Sequence, residues 1–188
     1  TSANGIAHEN AHDALADVTA LIAVTKLIKQ KQPQLYDYLL KMRDKKVVQQ
    51  LVNMDDKKLF VYASGRYDKE FAKTTVAFPL TTSRNGGVVV YDLRYDPTPF
   101  VELSTEELSK KIFASWEDRQ AEDFVKLPVK ELQYNRCPAV APLGVLEQGD
   151  GWQKISLDLK TVQKHQNILL NHPDFAEKLR TIFENKPA

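Results

Sequence analysis

Residues 8–17, HENAHDALAD, gather two histidines, a glutamate and two aspartates whose spacing fits two kinds of chemistry. His8-Glu9-Asn10-Ala11-His12 fits H-E-x-x-H, in which two histidines one helical turn apart bind zinc and the glutamate serves as general base. His12 and Asp17 fit a second pattern, a histidine followed five residues later by an aspartate that enters an apolar helix. A carboxylate suits a hard divalent cation, and an imidazole suits proton transfer near neutral pH. The zinc pattern requires both histidines on one helical face. Asn10 is the best N-cap in the region, which leaves His8 ahead of the helix and off that face. The other two histidines, His165 and His172, are remote in sequence and fall in terminal helices, so no third zinc ligand follows. His12 and Asp17 are themselves about 140° apart around a helix. Spacing alone therefore also allows a plain pair of polar residues at a helix start.

The elements that must position these groups follow from periodicity. From Asn10 to Gln32 apolar residues recur at Ala14, Leu15, Val18, Leu21, Ile22 and Ile28, which predicts one long helix with a wide apolar face. Lys26, Lys29 and Lys31 suit its C-terminal dipole, and Pro33 ends it. A second helix carries Leu35, Tyr38, Leu39 and Met42, and a short helical piece surrounds Val47–Val52. Beyond residue 57 the pattern changes to strands: KLFVYAS, KTTVAFPL, GGVVVYDL and PFVEL are rich in β-branched and aromatic residues, with Asn85-Gly86 as a hairpin turn. STEELSKKIF reads as a helix because Ser104 and Glu107 have capping-box spacing. PVKELQY and PAVAP read as short strands, and two helices, 159–170 and 173–183, close the chain. The fold class expected is α+β: one long helix, then a mixed domain around a small antiparallel sheet or barrel, with the boundary near Gln32-Pro33.

Composition narrows the function classes. The 188 residues are 43% hydrophobic and 27% charged, as in soluble globular proteins. No run of eighteen apolar residues is present, so no membrane partner is expected. The first residues form no secretory signal and include no initiator Met, so the sequence reads as a piece of a longer protein. A net charge of +1 means that nucleic-acid binding would rest on local patches. The single cysteine, Cys137 in NRCPAV, suits a reducing cytoplasm and is expected to be a buried structural thiol.

NAHDALADVTALIAVTKLIKQKQPQLYDYLL resembles the end of the exonuclease domain of the bacterial exonuclease I family, within the DnaQ-like (DEDD) 3′→5′ exonucleases. The resemblance continues through KLFVYASG, VVVYDL, VELSTEEL, PVKEL, NRCPAVAP and ILLNHPDFAEKL and so covers nearly the whole chain. It implies that residues 1–32 are the last helix of a ribonuclease H-like catalytic domain and that 33–187 form an SH3-like domain. It implies His12 as general base, Asp17 as a metal ligand, and a two-Mg²⁺ site whose other carboxylates lie upstream of residue 1. The implied reaction is removal of nucleotides from the 3′ end of single-stranded DNA, in DNA repair. A downstream helical domain of the same parent chain is also implied.

Local composition fits modestly. KMRDKK and DDKKLFVYASGRYDKEFAK interleave Lys and Arg with Phe60, Tyr62, Tyr67 and Phe71, as a single-strand platform would. The family further implies docking of the acidic, Phe-ended tail of single-stranded DNA-binding protein, with Tyr38 lining the pocket and Lys58 meeting its carboxylates. Pro142 and Leu170 stand where that pocket would carry polar or basic residues. With one carboxylate of the metal site present, the chain by itself is expected to be inactive. The alternative is a non-catalytic DNA- or protein-binding module.

Overall fold

The structure, a computed structural model, describes residues 14–185; His8, Asn10 and His12 lie outside the described residues. The chain divides between Arg43 and Asp44 into two compact units.

The first unit holds α1 (Ala14–Lys31) and α2 (Pro33–Lys41). Asp17 lies in the first turn of α1 and Lys29 and Lys31 in its last, each favourable to the helix dipole. Thr19 and Thr25 satisfy their hydroxyls by donating to the carbonyls of Leu15 and Leu21, both at 2.8 Å. Pro33 stops α1 and opens α2, where its missing N–H costs nothing. The Lys29 ammonium sits 5.5 Å from the centre of the Tyr36 ring. Leu15, Val18, Leu21 and Ile22 of α1 are exposed.

The second unit begins with α3 (Lys45–Leu51), capped by the Asp44 carboxylate, which accepts from the Lys46 N–H at 2.8 Å. Five strands follow: β1 (Phe60–Ala63), β2 (Thr74–Thr82), β3 (Val88–Asp92), β4 (Val129–Leu132) and β5 (Ala139–Pro142). They form one antiparallel sheet in the order β4-β3-β2-β1-β5. The β2–β3 hairpin turns at Ser83–Gly87, with Gly86 at φ +68. Gly87 is required for space, because a Cβ there would meet the Leu132 carbonyl oxygen at 2.7 Å. The register shifts between Pro79 and Thr81, which leaves Leu80 as the extra residue of a bulge next to the proline that has no N–H to donate.

Between β3 and β4 run α4 (Thr98–Val101) and α5 (Thr105–Ile112); α6 (Gly151–Lys154), α7 (Leu159–Asn171) and α8 (Pro173–Glu184) close the chain. The capping box of α5 is formed: the Ser104 hydroxyl accepts from the Glu107 N–H, and the Glu107 carboxylate accepts from the Ser104 N–H at 2.8 Å. Two expectations are corrected. PFVEL is not a strand, because Pro97 and Pro99 fix helical φ and the Asp96 carboxylate accepts from the Thr98 N–H at 2.9 Å, starting a one-turn helix that buries Phe100 and Val101. Cys137 is exposed, not buried, because it sits at φ +44 in the turn that links β4 to β5.

One face of the sheet carries the core. Val76, Phe78, Val89 and Tyr91 bury against Leu108 of α5, Val162 and Leu169 of α7, and Phe175 and Leu179 of α8. The Tyr91 and Phe175 rings meet edge to face at 6.3 Å. By register and two-residue alternation, Tyr62, Thr75, Asp92 and Lys130 share the opposite face. No helix among the described residues is long and apolar enough to cross a membrane.

Candidate nucleic-acid interface

That opposite face floors a cleft of about 1340 Å³ in the second unit. Its wall is the segment 64–73 that joins β1 to β2. Ala72 and Lys73 are both in left-handed backbone, at φ +51 and +54, a conformation that costs non-glycine residues about 1–2 kcal/mol each. Hydrogen bonds hold the strained loop. The Ser64 N–H donates to the Lys73 carbonyl at 2.9 Å, and the Lys73 ammonium donates to the Gly65 carbonyl at 2.9 Å. The loop thereby presents Ser64, Arg66 and Tyr67 to the cleft.

Lys130 projects from β4 into the same space. Its ammonium hydrogen-bonds the Ser64 hydroxyl and lies 4.4 Å from the centre of the Tyr62 ring and 5.0 Å from that of Tyr67. The two rings pack edge to face at 5.5 Å. Partial burial, then repulsion from Arg66 and Lys126, pulls the Lys130 ammonium down to about 8. The Tyr67 hydroxyl is buried without a hydrogen-bond partner among the described residues, and burial and the nearby Asp92 carboxylate push its ionisation up.

Asp92 anchors the other end. It is buried on β3, where its carboxylate accepts from the Thr75 hydroxyl and from the Arg94 N–H at 3.1 Å. Burial raises its pKa, and those two donors oppose the rise. The Arg94 guanidinium stacks 3.7 Å from the centre of the Phe71 ring and donates to the carbonyls of Thr74 and Ser156, each at 3.1 Å. Seven cationic side chains line the cleft, Arg136 and Lys111 among them, against three acidic ones, Asp68, Asp92 and Glu131. A net positive cleft can hold a polyanion.

The expected platform is thus partly assembled. Tyr62, Tyr67 and Phe71 line the cleft, but Lys130 sits over the two tyrosines and Arg94 over Phe71. Phe60 is 1% exposed and does not line this cleft. The lysines of KMRDKK lie outside the cleft. Lys58 is exposed, paired with Asp56 at 3.1 Å, and lines a smaller cleft of about 570 Å³ with Leu51, Leu59, Phe60, Pro142 and Leu143. Leu170 is exposed and is not part of that lining. Tyr38 is half-buried on α2 of the first unit, and Asp17 is exposed on α1; His12 lies outside the described residues. No group of three or more His, Cys, Asp or Glu among the described residues could hold a metal ion. Asp17 has the right oxygen donors for Mg²⁺ but supplies one ligand, and that ion is ordinarily held by more. His165, considered as a distant zinc ligand, instead donates from Nδ1 to the Leu93 carbonyl at 2.8 Å and is buried. Lys130, Thr75, Asp92 and Arg94 were not among the sequence candidates.

The family described as Exonuclease I SH3-like domain matches residues 43–185. Exodeoxyribonuclease I of Escherichia coli K12 is 34% identical over 185 residues, which cover 97% of this chain and 38% of that protein. Exodeoxyribonuclease I of Haemophilus influenzae is 32% identical over 189 residues, covering 99% and 40%. A zinc-bound complex of Escherichia coli exonuclease I with single-stranded DNA matches with a TM-score of 0.87 at 34% identity, over 100% of this chain and 41% of that one. A moderately thermophilic exonuclease I from Methylocaldum szegediense matches with a TM-score of 0.87 at 32% identity, over 99% and 39%. The chain spans about two fifths of the length of the relatives it matches.

Proposed function

The chain belongs to the exonuclease I family, and from that premise we propose that it is part of a Mg²⁺-dependent 3′→5′ exonuclease that degrades single-stranded DNA in the cytoplasm during DNA repair. Residues 1–32 close the catalytic domain, and residues 33–187 are the SH3-like domain that holds the strand. The observation that carries this reading is the cleft itself, with seven cations against three acids over a floor of tyrosine rings. Phosphates follow the cations, and exposed bases find rings, which duplex DNA cannot offer while its bases are paired.

In the catalytic part, His12 takes a proton from the attacking water, for which an imidazole is suited near pH 7. Asp17 holds one Mg²⁺ together with carboxylates from elsewhere in the longer protein. When bound, the ions stabilise negative charge on the attacking and leaving oxygens of the phosphodiester. The helix that carries Asp17 is rich in alanine, so it can pack closely against its neighbour. The smaller cleft beside Lys58 receives the acidic, Phe-ended tail of single-stranded DNA-binding protein, and the family resemblance assigns Tyr38 to the same partner.

Two measurements on the 188-residue chain test this reading. Fluorescence anisotropy with labelled oligo-dT should show binding that weakens as salt rises, and weaker binding to a hairpin duplex. Incubation with 3′-labelled single-stranded DNA and Mg²⁺ should release no nucleotides. Absence of binding even at low salt would remove the strand-holding role. Metal-dependent release that disappears in Asp17→Ala would show that the active site is complete within this chain.

A further inference from the structure

We propose that Lys130, Ser64, Arg66 and Lys126 form a phosphate subsite of the cleft, seating one phosphodiester of the strand above the Tyr62–Tyr67 pair. The proposal rests on the single-strand reading and assigns it a specific anchoring group.

The first support is an uncompensated charge cluster. Three cations converge from separate segments: Lys130 from β4, Lys126 from the residues before it, and Arg66 from the loop after β1. None of the three pairs with a carboxylate among the described residues. Of the three acids that line the cleft, Asp68 forms no ion pair with these cations among the described residues, and the other two are engaged elsewhere. Glu131, adjacent in sequence, accepts from Ser83 and from Gln133 at 2.6 Å, and Asp92 accepts from Thr75 and the Arg94 N–H. A half-buried ammonium with two like charges beside it and no counterion is held in a costly state, which an arriving anion relieves.

The second support is donor geometry. An ammonium has three N–H groups. One Lys130 N–H reaches the Ser64 oxygen, while ring faces on two sides fix the direction of the group. The Ser64 oxygen accepts from Lys130 and, at 3.4 Å, from the Arg66 N–H, so its own hydrogen is free to donate to a phosphate oxygen. Lysine and serine donors at one point on an aromatic base, with the Arg66 and Lys126 charges beside them, suit a phosphodiester oxygen.

The subsite makes strand binding pH-dependent. Lys130 is held down to about 8 when the cleft is empty, by burial first and by Arg66 and Lys126 next. A bound phosphate favours the charged form, so binding takes up a proton as pH passes above that value. By linkage the affinity should then fall with rising pH, by at most about tenfold per pH unit for one proton. Tyr62 and Tyr67, the other titratable groups that pack on Lys130, are both raised by burial and so do not titrate in this range. Cys137 also lines the cleft. Every form tested therefore carries Cys137→Ser, which leaves no thiol on the cleft.

The experiment is anisotropy of labelled oligo-dT with the Cys137→Ser chain and its Lys130→Met and Lys130→Arg forms, from pH 7 to 9.5 and across a salt series. Circular dichroism checks that each form is folded. The parent should lose affinity above pH 8. Lys130→Met should bind more weakly at pH 7, show no such fall, and lose about 0.7 from the slope of log K against log salt, the value for one phosphate contact on a single strand. Lys130→Arg, charged throughout, should have a flat profile. Unchanged salt slope in Lys130→Met, or a pH-dependent fall that persists in Lys130→Arg, overturns the subsite and leaves the strand reading standing. No binding by any form overturns both.

Discussion

Thr75→Val isolates one hydrogen bond beneath the cleft. Thr75 is fully buried on β2 and its hydroxyl donates to the buried Asp92 carboxylate. Valine has nearly the same shape, so no cavity opens; what is lost is one of two donors to a buried charge. A hydrogen bond to a charged group contributes about 1.5–3 kcal/mol, so the variant should be destabilised by about that amount at pH 7.5. For a chain of this length each kcal/mol moves Tm by about 2–4 °C, which places the expected drop at about 3–12 °C. The pH dependence gives the sharper test. Asp92 is raised by burial, and the Thr75 bond lowers it. A carboxylate whose folded pKa is raised contributes most to stability when protonated, and that contribution is lost as pH rises through the folded value. Removing Thr75 raises the folded value further, so more is lost at pH 7.5. At low pH, where Asp92 is protonated in both forms, the carboxyl no longer needs that donor as a charged group. Urea denaturation at pH 7.5 and at stepwise lower pH should therefore show the gap between variant and parent shrinking. A gap below about 0.5 kcal/mol at pH 7.5, the scatter of a neutral surface change, or one independent of pH, would refute the assignment of Thr75 as support for a charged Asp92.

The remaining expectations concern His12, Asp17 and the smaller cleft. In the full-length protein, His12→Ala should lower turnover on single-stranded DNA by about 10²–10⁴, the range for general acid–base groups, and Asp17→Ala should abolish the response to Mg²⁺; wild-type rates in both would refute their roles. Lys58 is exposed and already paired with Asp56 at 3.1 Å, so Lys58→Ala should weaken an acidic, Phe-ended peptide by no more than about fivefold, the scale of an exposed ion pair. Asp56→Ala, which frees Lys58, should strengthen the same peptide, with both effects shrinking as salt is added. Isothermal titration showing the same affinity in all three forms would place the peptide elsewhere.

Where local chemistry decides conformation, the sequence was legible. The helix stop at Pro33, the Asn85-Gly86 turn, the Ser104–Glu107 capping box and the β-branched runs of β1, β2 and β3 each formed as their residue types require. PFVEL failed for a local reason as well. Its aromatic and β-branched residues favour a strand, but Pro97, Pro99 and the Asp96 cap act on the backbone directly, and the apolar side chains are buried equally well from one helical turn. Cys137 failed on a different ground. A lone cysteine is usually buried, and nothing in NRCPAV announces the left-handed turn that carries it to the surface.

The interface is harder to read, because strand register assembles it and register is not a local property. Phe60 and Tyr62 have the same parity on β1 and similar rings, yet Phe60 lines the smaller cleft beside Lys58 and Tyr62 floors the larger one. What separates them is position along the pairing: Phe60 lies opposite Ala77, in line with Asp92, whereas Tyr62 lies opposite Thr75, beside the end of the strand where loop 64–73 turns away. Lys130 meets Ser64 across 66 residues of sequence, a contact that exists because β4 and β1 lie on the same sheet with β3 and β2 between them. In PVKEL that lysine reads as an ordinary outward residue of an edge strand, of the kind that discourages edge-to-edge pairing. A one-residue slip of β4 would turn Lys130 away from the Tyr62 and Tyr67 rings and put Glu131 in its place, exchanging a cation for an anion beside them. The bulge at Pro79–Thr81 and the close approach of Gly87 to Leu132 hold β2, β3 and β4 in the register observed. Residues outside the cleft thus set its charge.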